Sequence, residues 1–118
     1  PHLGSGMLRE LLMLADSCPN VYTDTSGIDG WARYVTGPGG SVSPEDCLKH
    51  VLDVLGPERI LFGSDSSFFP RGWRQDVFDR QITIFQRLGL AAEQVQMILG
   101  SNLTKILRDA ERSRPNGN

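Results

Sequence analysis

Residues 59–65 read Arg59-Ile60-Leu61-Phe62-Gly63-Ser64-Asp65, RILFGSD, and this stretch decides the fold class. Three apolar residues run together without alternation, Gly63-Ser64 breaks the run, and an acid follows. A short continuous apolar run of this kind suits a strand buried on both faces, as in a parallel sheet. Asp65 then falls at the C-terminal end of that strand, the edge where parallel α/β folds bind ligands. A carboxylate there can ligate a divalent metal or act as a general base. The competing reading is a turn-forming acid, since Asp-Ser-Ser suits a turn.

Working outward, the sequence alternates between helical and strand-like segments. Residues 6–17 carry Met7, Leu8, Leu11, Leu12, Leu14 and Ala15 at helical spacing, and Pro19-Asn20 ends the pattern. Val21 to Thr25 is rich in β-branched and aromatic residues and closes on Ser26-Gly27, so a strand is expected. Residues 28–42 hold four glycines and a proline and read as a long loop, with a helical turn possible over Trp31 to Val35. Ser43-Pro44-Glu45-Asp46 has the chemistry of a helix start, and Cys47, Leu48, Val51, Leu52 and Leu55 form the apolar face that follows. Gly56-Pro57 stops it. Beyond Asp65 a second long loop covers 66–73. Val77, Phe78, Ile82, Phe85 and Leu88 then have helical spacing up to Gly89. A short helix over Ala92 to Leu99 is expected to stop at Gly100, and Ser101 to cap a last one through Leu107. The main unit is thus 1–108, and a polar tail at 109–118 is expected to fray.

Links from helix to strand are short and links from strand to helix are long. That asymmetry predicts an α/β chain of barrel or open-sheet type, with its functional face at the strand C-termini. The 118 residues carry 12 Lys+Arg and 14 Asp+Glu, a net charge of −2. No basic field points to nucleic acid or to an anionic membrane surface. No apolar run approaches the roughly 20 residues needed to span a bilayer. Cys18 and Cys47 are too few for a disulfide scaffold or a Cys-rich zinc site, and two reduced thiols in a cytoplasmic protein are expected.

Other residues with chemical potential surround these strands. His2 precedes the first helix and would stand at a strand end, equivalent to Asp65, if a strand preceded it; its near-neutral titration suits acid–base work. Asp24 lies inside the first strand, where an acid needs a partner or a site. Trp31 and Arg33 follow one strand, and Arg71, Trp73 and Arg74 follow the other. An arginine beside an aromatic can clamp a planar or carboxylate substrate. His50, mid-helix between Lys49 and Val51, reads as a surface or packing residue. The nucleophile-elbow, P-loop, dinucleotide-binding and C-x-x-C motifs are missing from the sequence.

Four segments occur in a familiar order: PHLGSG at 1–6, PNVYTDTSG at 19–27, RILFGSD at 59–65 and ILGSNLTKIL at 98–107. Together they resemble the C-terminal part of metal-dependent hydrolases of the amidohydrolase superfamily, of the amidohydrolase 2 type that includes aminocarboxymuconate-semialdehyde decarboxylases. The resemblance implies a (β/α)8 barrel with a divalent metal, zinc in the first instance, at the strand C-termini. This chain would supply about strands six to eight. By the same resemblance Asp65 ends the eighth strand as a metal ligand or proton acceptor, and His2 ends the sixth as a metal ligand or polarising group. Asp24 matches a recurrent position on the seventh strand. The implied reaction is attack of metal-activated water on an amide, ester or lactone of a small-molecule substrate. Decarboxylation is the alternative, although Ser66-Ser67 stands where those relatives carry Tyr-Pro. A non-catalytic α/β interaction module is the second alternative.

The family's His-x-His pair belongs to a first strand that would lie upstream of Pro1. A complete barrel takes about 250 residues, so the chain is expected to be a piece of a longer protein. It is expected to be inactive alone and to associate with the missing half of the barrel or with itself.

Overall fold

The structure is a computed structural model that describes residues 1–37, 39–66 and 72–114. It is mixed α/β and mostly helical. Helix α1 spans Leu8–Ser17, strand β1 Thr23–Asp24, and helix α3 Pro44–Leu55 leads to strand β4 at Ile60–Leu61. Between β1 and α3 lie the helical turn α2 (Ile28–Trp31) and a small hairpin of β2 (Thr36–Gly37) with β3 (Gly40–Ser41). The segment expected to be a long loop is therefore locally structured. The helical turn expected over Trp31 to Val35 is present as a 3-10 turn at Ala32–Tyr34, continuing from α2.

β1 and β4 pair in parallel, Thr23 opposite Ile60 and Asp24 opposite Leu61, with α3 in the crossover. A parallel pair needs such a crossover because no tight turn can join its ends. The ladder is short because other groups take over the hydrogen bonds beyond it. The Thr25 N–H donates to Leu61 O at 2.9 Å, and the Gly63 N–H donates to the Thr25 side-chain oxygen at 3.2 Å.

α3 begins as its residues dictate. The Ser43 hydroxyl accepts from the Asp46 N–H at 3.1 Å and Pro44 occupies the first turn. Its inner face buries Cys47, Leu48, Val51 and Leu55 against Leu8 and Ala15 of α1 and against Ile60. Helix α4 (Gln75–Arg87) adds Ile84 and Phe85. Arg59 ties the ends of α1 and α3 together by donating to Ala15 O at 2.9 Å, Cys18 O at 3.3 Å and Leu55 O at 3.1 Å. These are carbonyls that a helix C-terminus leaves without an internal partner.

The last helix departs from expectation. Gly100 does not stop it and Ser101 does not cap it. Helix α5 (Ala92–Gln96) passes through a π turn at Met97–Ser101 directly into α6 (Asn102–Arg112). Both Ser101 and Asn102 keep right-handed helical dihedrals. The first residues of the expected polar tail are helical, since α6 continues to Arg112, and residues 115–118 lie outside the described ones. The π turn has a tertiary cause. Asn102 N–H bonds Met97 O, so Ile98 O is released to accept from the Phe62 N–H of the strand at 2.8 Å. Asn102, buried, spends its side-chain amide on Pro57 O at 2.7 Å and Ile60 O at 2.8 Å. A wide turn thus aligns two groups on the backbone of β4 where a regular helix would align one.

Replacing Asn102 by alanine would leave two carbonyls without their donor and a small void. We expect Asn102→Ala to lower unfolding stability by about 3 kcal/mol, read by chemical denaturation; a loss below about 0.5 kcal/mol would contradict this role.

Candidate active site

The C-terminal ends of β1 and β4 are held together by one buried side chain. Gln81 of α4 is 2% exposed. Its amide nitrogen donates to Thr25 O at 3.2 Å and to Gly63 O at 3.0 Å, and its oxygen accepts from the Thr25 hydroxyl at 2.5 Å. Gly63 has no side chain for a reason visible here. A Cβ at this position would stand 2.7 Å from the Ser26 Cβ and 3.2 Å from its backbone nitrogen. The two strand ends can approach only because residue 63 is glycine.

Ser26 in turn holds His2. The His2 Nδ1 lies 2.9 Å from Ser26 O and 2.8 Å from the Ser26 hydroxyl. The Ser26 hydroxyl also donates to Asp24 Oδ1, which accepts the Ser26 N–H at 3.0 Å and the His2 N–H at 3.2 Å as well. Burial pushes the Asp24 carboxyl up. The Ser26 hydroxyl and the backbone N–H groups of His2 and Ser26 outweigh it, so its pKa lies below the ordinary value. Trp31 stacks on the other side of His2, with ring centroids 6.0 Å apart and planes 20° from parallel. Gly27 separates them with φ +65°, and a Cβ there would meet Trp31 Cδ1 at 3.0 Å and His2 Nδ1 at 3.1 Å.

Asp65 follows Gly63-Ser64 as expected and is half-buried. Its φ is +56°, and that of His2 is +59°. Left-handed backbone costs most residues about 1–2 kcal/mol, and such positions concentrate at functional sites. Asp65 lines a pocket of about 220 Å³ with Gly27, Trp31, Arg74 and Arg80 among its other walls. Gly27 and Trp31 therefore contact both the His2 surroundings and the Asp65 pocket. Arg74 donates to Asp76 at 2.8 and 2.7 Å, and Arg80 bridges Asp76 and Asp29, both at 3.1 Å. The hydrogen bond from Arg74, with Arg80 adding to it, holds the Asp76 carboxyl at about 2 against a smaller opposing effect of desolvation.

The remaining candidates scatter. Arg33 donates to Gly30 O at 2.8 Å and lies over the Tyr34 ring, outside the pocket walls. Trp73 packs with Phe62 and Phe78 and donates to Gln75, also outside those walls. Arg71 lies outside the described residues. His50 is exposed on α3. Ser26, Gln81, Asp29 and Arg80 carry site geometry that the sequence reading did not assign. The one available signal was the small-polar run Thr23-Asp24-Thr25-Ser26, which is unusual for a buried strand end.

Among the described residues no group of three or more His, Cys, Asp or Glu side chains comes together to hold a metal ion. His2 and Asp65 have the right donor chemistry for a divalent cation, an imidazole nitrogen and a carboxylate. They supply part of a coordination sphere at most.

Comparison with known proteins identifies the family of the chain. The amidohydrolase family model matches residues 1–108. The chain belongs to the amidohydrolase family. Two crystal structures of an amidohydrolase from Burkholderia multivorans, one with bound HEPES and one with bound zinc, resemble this amidohydrolase chain in fold. Their TM-scores are 0.56 and 0.55, with 22% identity in each case. Each comparison covers 76% of this chain and 32% of the other, so the chain spans about a third of the length of those structures. No curated protein matches it.

Two outcomes follow from the geometry around His2. Gly27→Ala forces a side chain into left-handed backbone between His2 and Trp31. It should cost about 1–2 kcal/mol and weaken the Trp31 stacking, seen as a changed indole fluorescence spectrum. Asp24 stabilises the fold as the carboxylate. Its folded pKa lies below the unfolded value near 3.8, so its contribution is complete above that value and is lost as pH falls through the folded one. The stability gap between the natural chain and Asp24→Asn should stay constant from neutral pH down to that unfolded value and narrow below it. A gap that widens on acidification would contradict the assignment.

Proposed function

We propose that this chain is the C-terminal portion, about strands six to eight, of a (β/α)8 barrel hydrolase. Its reaction is the hydrolysis of an amide, ester or lactone in a small molecule. One observation carries the reading: Gly27 and Trp31, which flank the His2 ring, also line the pocket that Asp65 lines, at the C-terminal end of a parallel strand pair. The family match over residues 1–108 and the 32% coverage of the similar amidohydrolase chains support it.

A divalent metal, for which zinc is the first choice, would be held in part by His2 and Asp65, the remaining ligands coming from outside this chain. When bound, such an ion supplies Lewis acidity toward a carbonyl and makes water a nucleophile near neutral pH. Within this chain, Asp65 accepts a proton in the pocket it lines, and His2, held through Nδ1, offers Nε2. Trp31 stacks against the imidazole. Arg74 and Arg80 form the cationic part of the pocket wall. The substrate is placed in this pocket. Trp73, Arg33 and Arg71 remain proposals for outer substrate contacts.

Alone the chain is proposed to be inactive and to require the rest of the barrel or a second copy. Met13, Leu14, Leu103 and Leu107 are large apolar residues at 49–62% exposure, and such surface favours association. Light scattering should give a mass above that of the monomer; a clean monomer would contradict this part. Among the described residues no helix is long and apolar enough to cross a membrane.

The test of the reaction uses the longer protein that contains this segment. It should contain a divalent metal, and Asp65→Asn should reduce hydrolysis by about a thousandfold or more while the fold is retained. Release of carbon dioxide in place of hydrolysis would transfer the same site to the decarboxylase branch. Absence of metal and of both activities would favour a non-catalytic module.

A further inference from the structure

The donors and acceptors around His2 determine which ring nitrogen carries the proton. The Nδ1 has two neighbours, Ser26 O at 2.9 Å and the Ser26 hydroxyl at 2.8 Å. A backbone carbonyl only accepts. The Ser26 hydroxyl has a single hydrogen, and that hydrogen goes to Asp24 Oδ1. Toward Nδ1 the hydroxyl oxygen is therefore also an acceptor. Both neighbours require Nδ1 to be the donor. The neutral imidazole must then hold its proton on Nδ1 and its lone pair on Nε2, against the preference of free histidine for the opposite tautomer.

The Asp24 carboxylate enforces this at one remove. It accepts from the His2 backbone, the Ser26 backbone and the Ser26 hydroxyl, so the hydroxyl cannot turn its hydrogen toward His2. Ser26 is 8% exposed, so water does not readily replace these partners. Trp31 stacks on the ring, with centroids 6.0 Å apart.

We infer that Asp24 and Ser26 are positioning residues that act through His2, locking it in the Nδ1–H tautomer so that the lone pair that could take a proton or a cation is on Nε2. The use of that lone pair rests on the function proposed above. The tautomer itself does not, and it can be measured in this chain without metal or substrate.

The chain has two histidines, so replacing exposed His50 (His50→Gln) leaves His2 as the sole imidazole signal. Long-range proton–nitrogen NMR at about pH 8.5, two units above the ordinary histidine value near 6.5, reads the neutral tautomer directly. The Nδ1–H form should exceed the Nε2–H form by about tenfold, the equivalent of about 1.4 kcal/mol. Ser26→Ala should lower that ratio by about fivefold, Asp24→Asn should lower it to a lesser degree, and Ser26→Thr should restore it. The amide spectrum reports in each case that the fold is kept, and if a variant unfolds, the ratio in the His50→Gln chain decides. A majority of the Nε2–H form there overturns the inference. So does an unchanged ratio in both Ser26→Ala and Asp24→Asn with the fold intact. Failure of the longer protein to bind metal or to hydrolyse overturns the proposed function and leaves the tautomer measurement standing.

Discussion

The carboxamide of Gln81 is the interaction on which the strand ends depend. It binds Thr25 on one strand and Gly63 on the other from a helix some 18 residues further along the chain than Gly63. With the Thr25 hydroxyl also donating to it, every polar atom of this side chain is used in a site from which water is excluded. A buried amide is costly when unsatisfied and strongly positioning when satisfied. Here it fixes the spacing of two peptide segments whose direct ladder is only two residues long. Ser26 and Ser64, one residue beyond the bridged pair, inherit that spacing, and so do His2 and Asp65.

From this junction the polar chain runs outward in one direction, through Ser26 to Asp24 and His2, and ends on the indole of Trp31. The other direction runs through Asp65 into the pocket bounded by Arg74 and Arg80. The two glycines at the junction serve distinct ends. Gly63 allows the backbones to meet, and Gly27 leaves the gap in which imidazole and indole stack. Below the junction the apolar layer of α1, α3 and α4 is an ordinary packed core around Phe85, Leu48 and Ile60. On the far side of β4 the π turn hands Ile98 O and the Asn102 amide to the strand backbone. The strand is thus stitched on one side to β1 and on the other to a helix distorted for that purpose.

Much of this was legible in the residues. The apolar run at 60–62 and the Ser43-Pro44 start announced β4 and α3, because burial and capping are local consequences of composition. The apolar run placed Asp65 after β4, whereas His2 stands in a 3-10 turn at His2–Gly4 and its strand-end position rests on the resemblance alone. The passage through Gly100 was not legible. A glycine followed by serine locally favours a helix stop, and only the demand of Phe62 and Ile60 for partners keeps the helix going as a π turn. Arg33 and Trp73 looked equivalent to Trp31 in sequence, yet their partners are Gly30, Tyr34, Phe62 and Phe78.

By itself the sequence determined the α/β alternation, the helix starts, the position of Asp65 after its strand and the family to which the chain belongs. Each of these depends on neighbours a few residues apart or on motifs in order. Tertiary structure alone decided that Ser26 would hold His2 from 24 positions away and that Gln81 would clamp Thr25 from 56. Hydrogen bonds over such separations depend on where the crossover helix returns the chain, and no local pattern of residues encodes which buried donor will meet which acceptor.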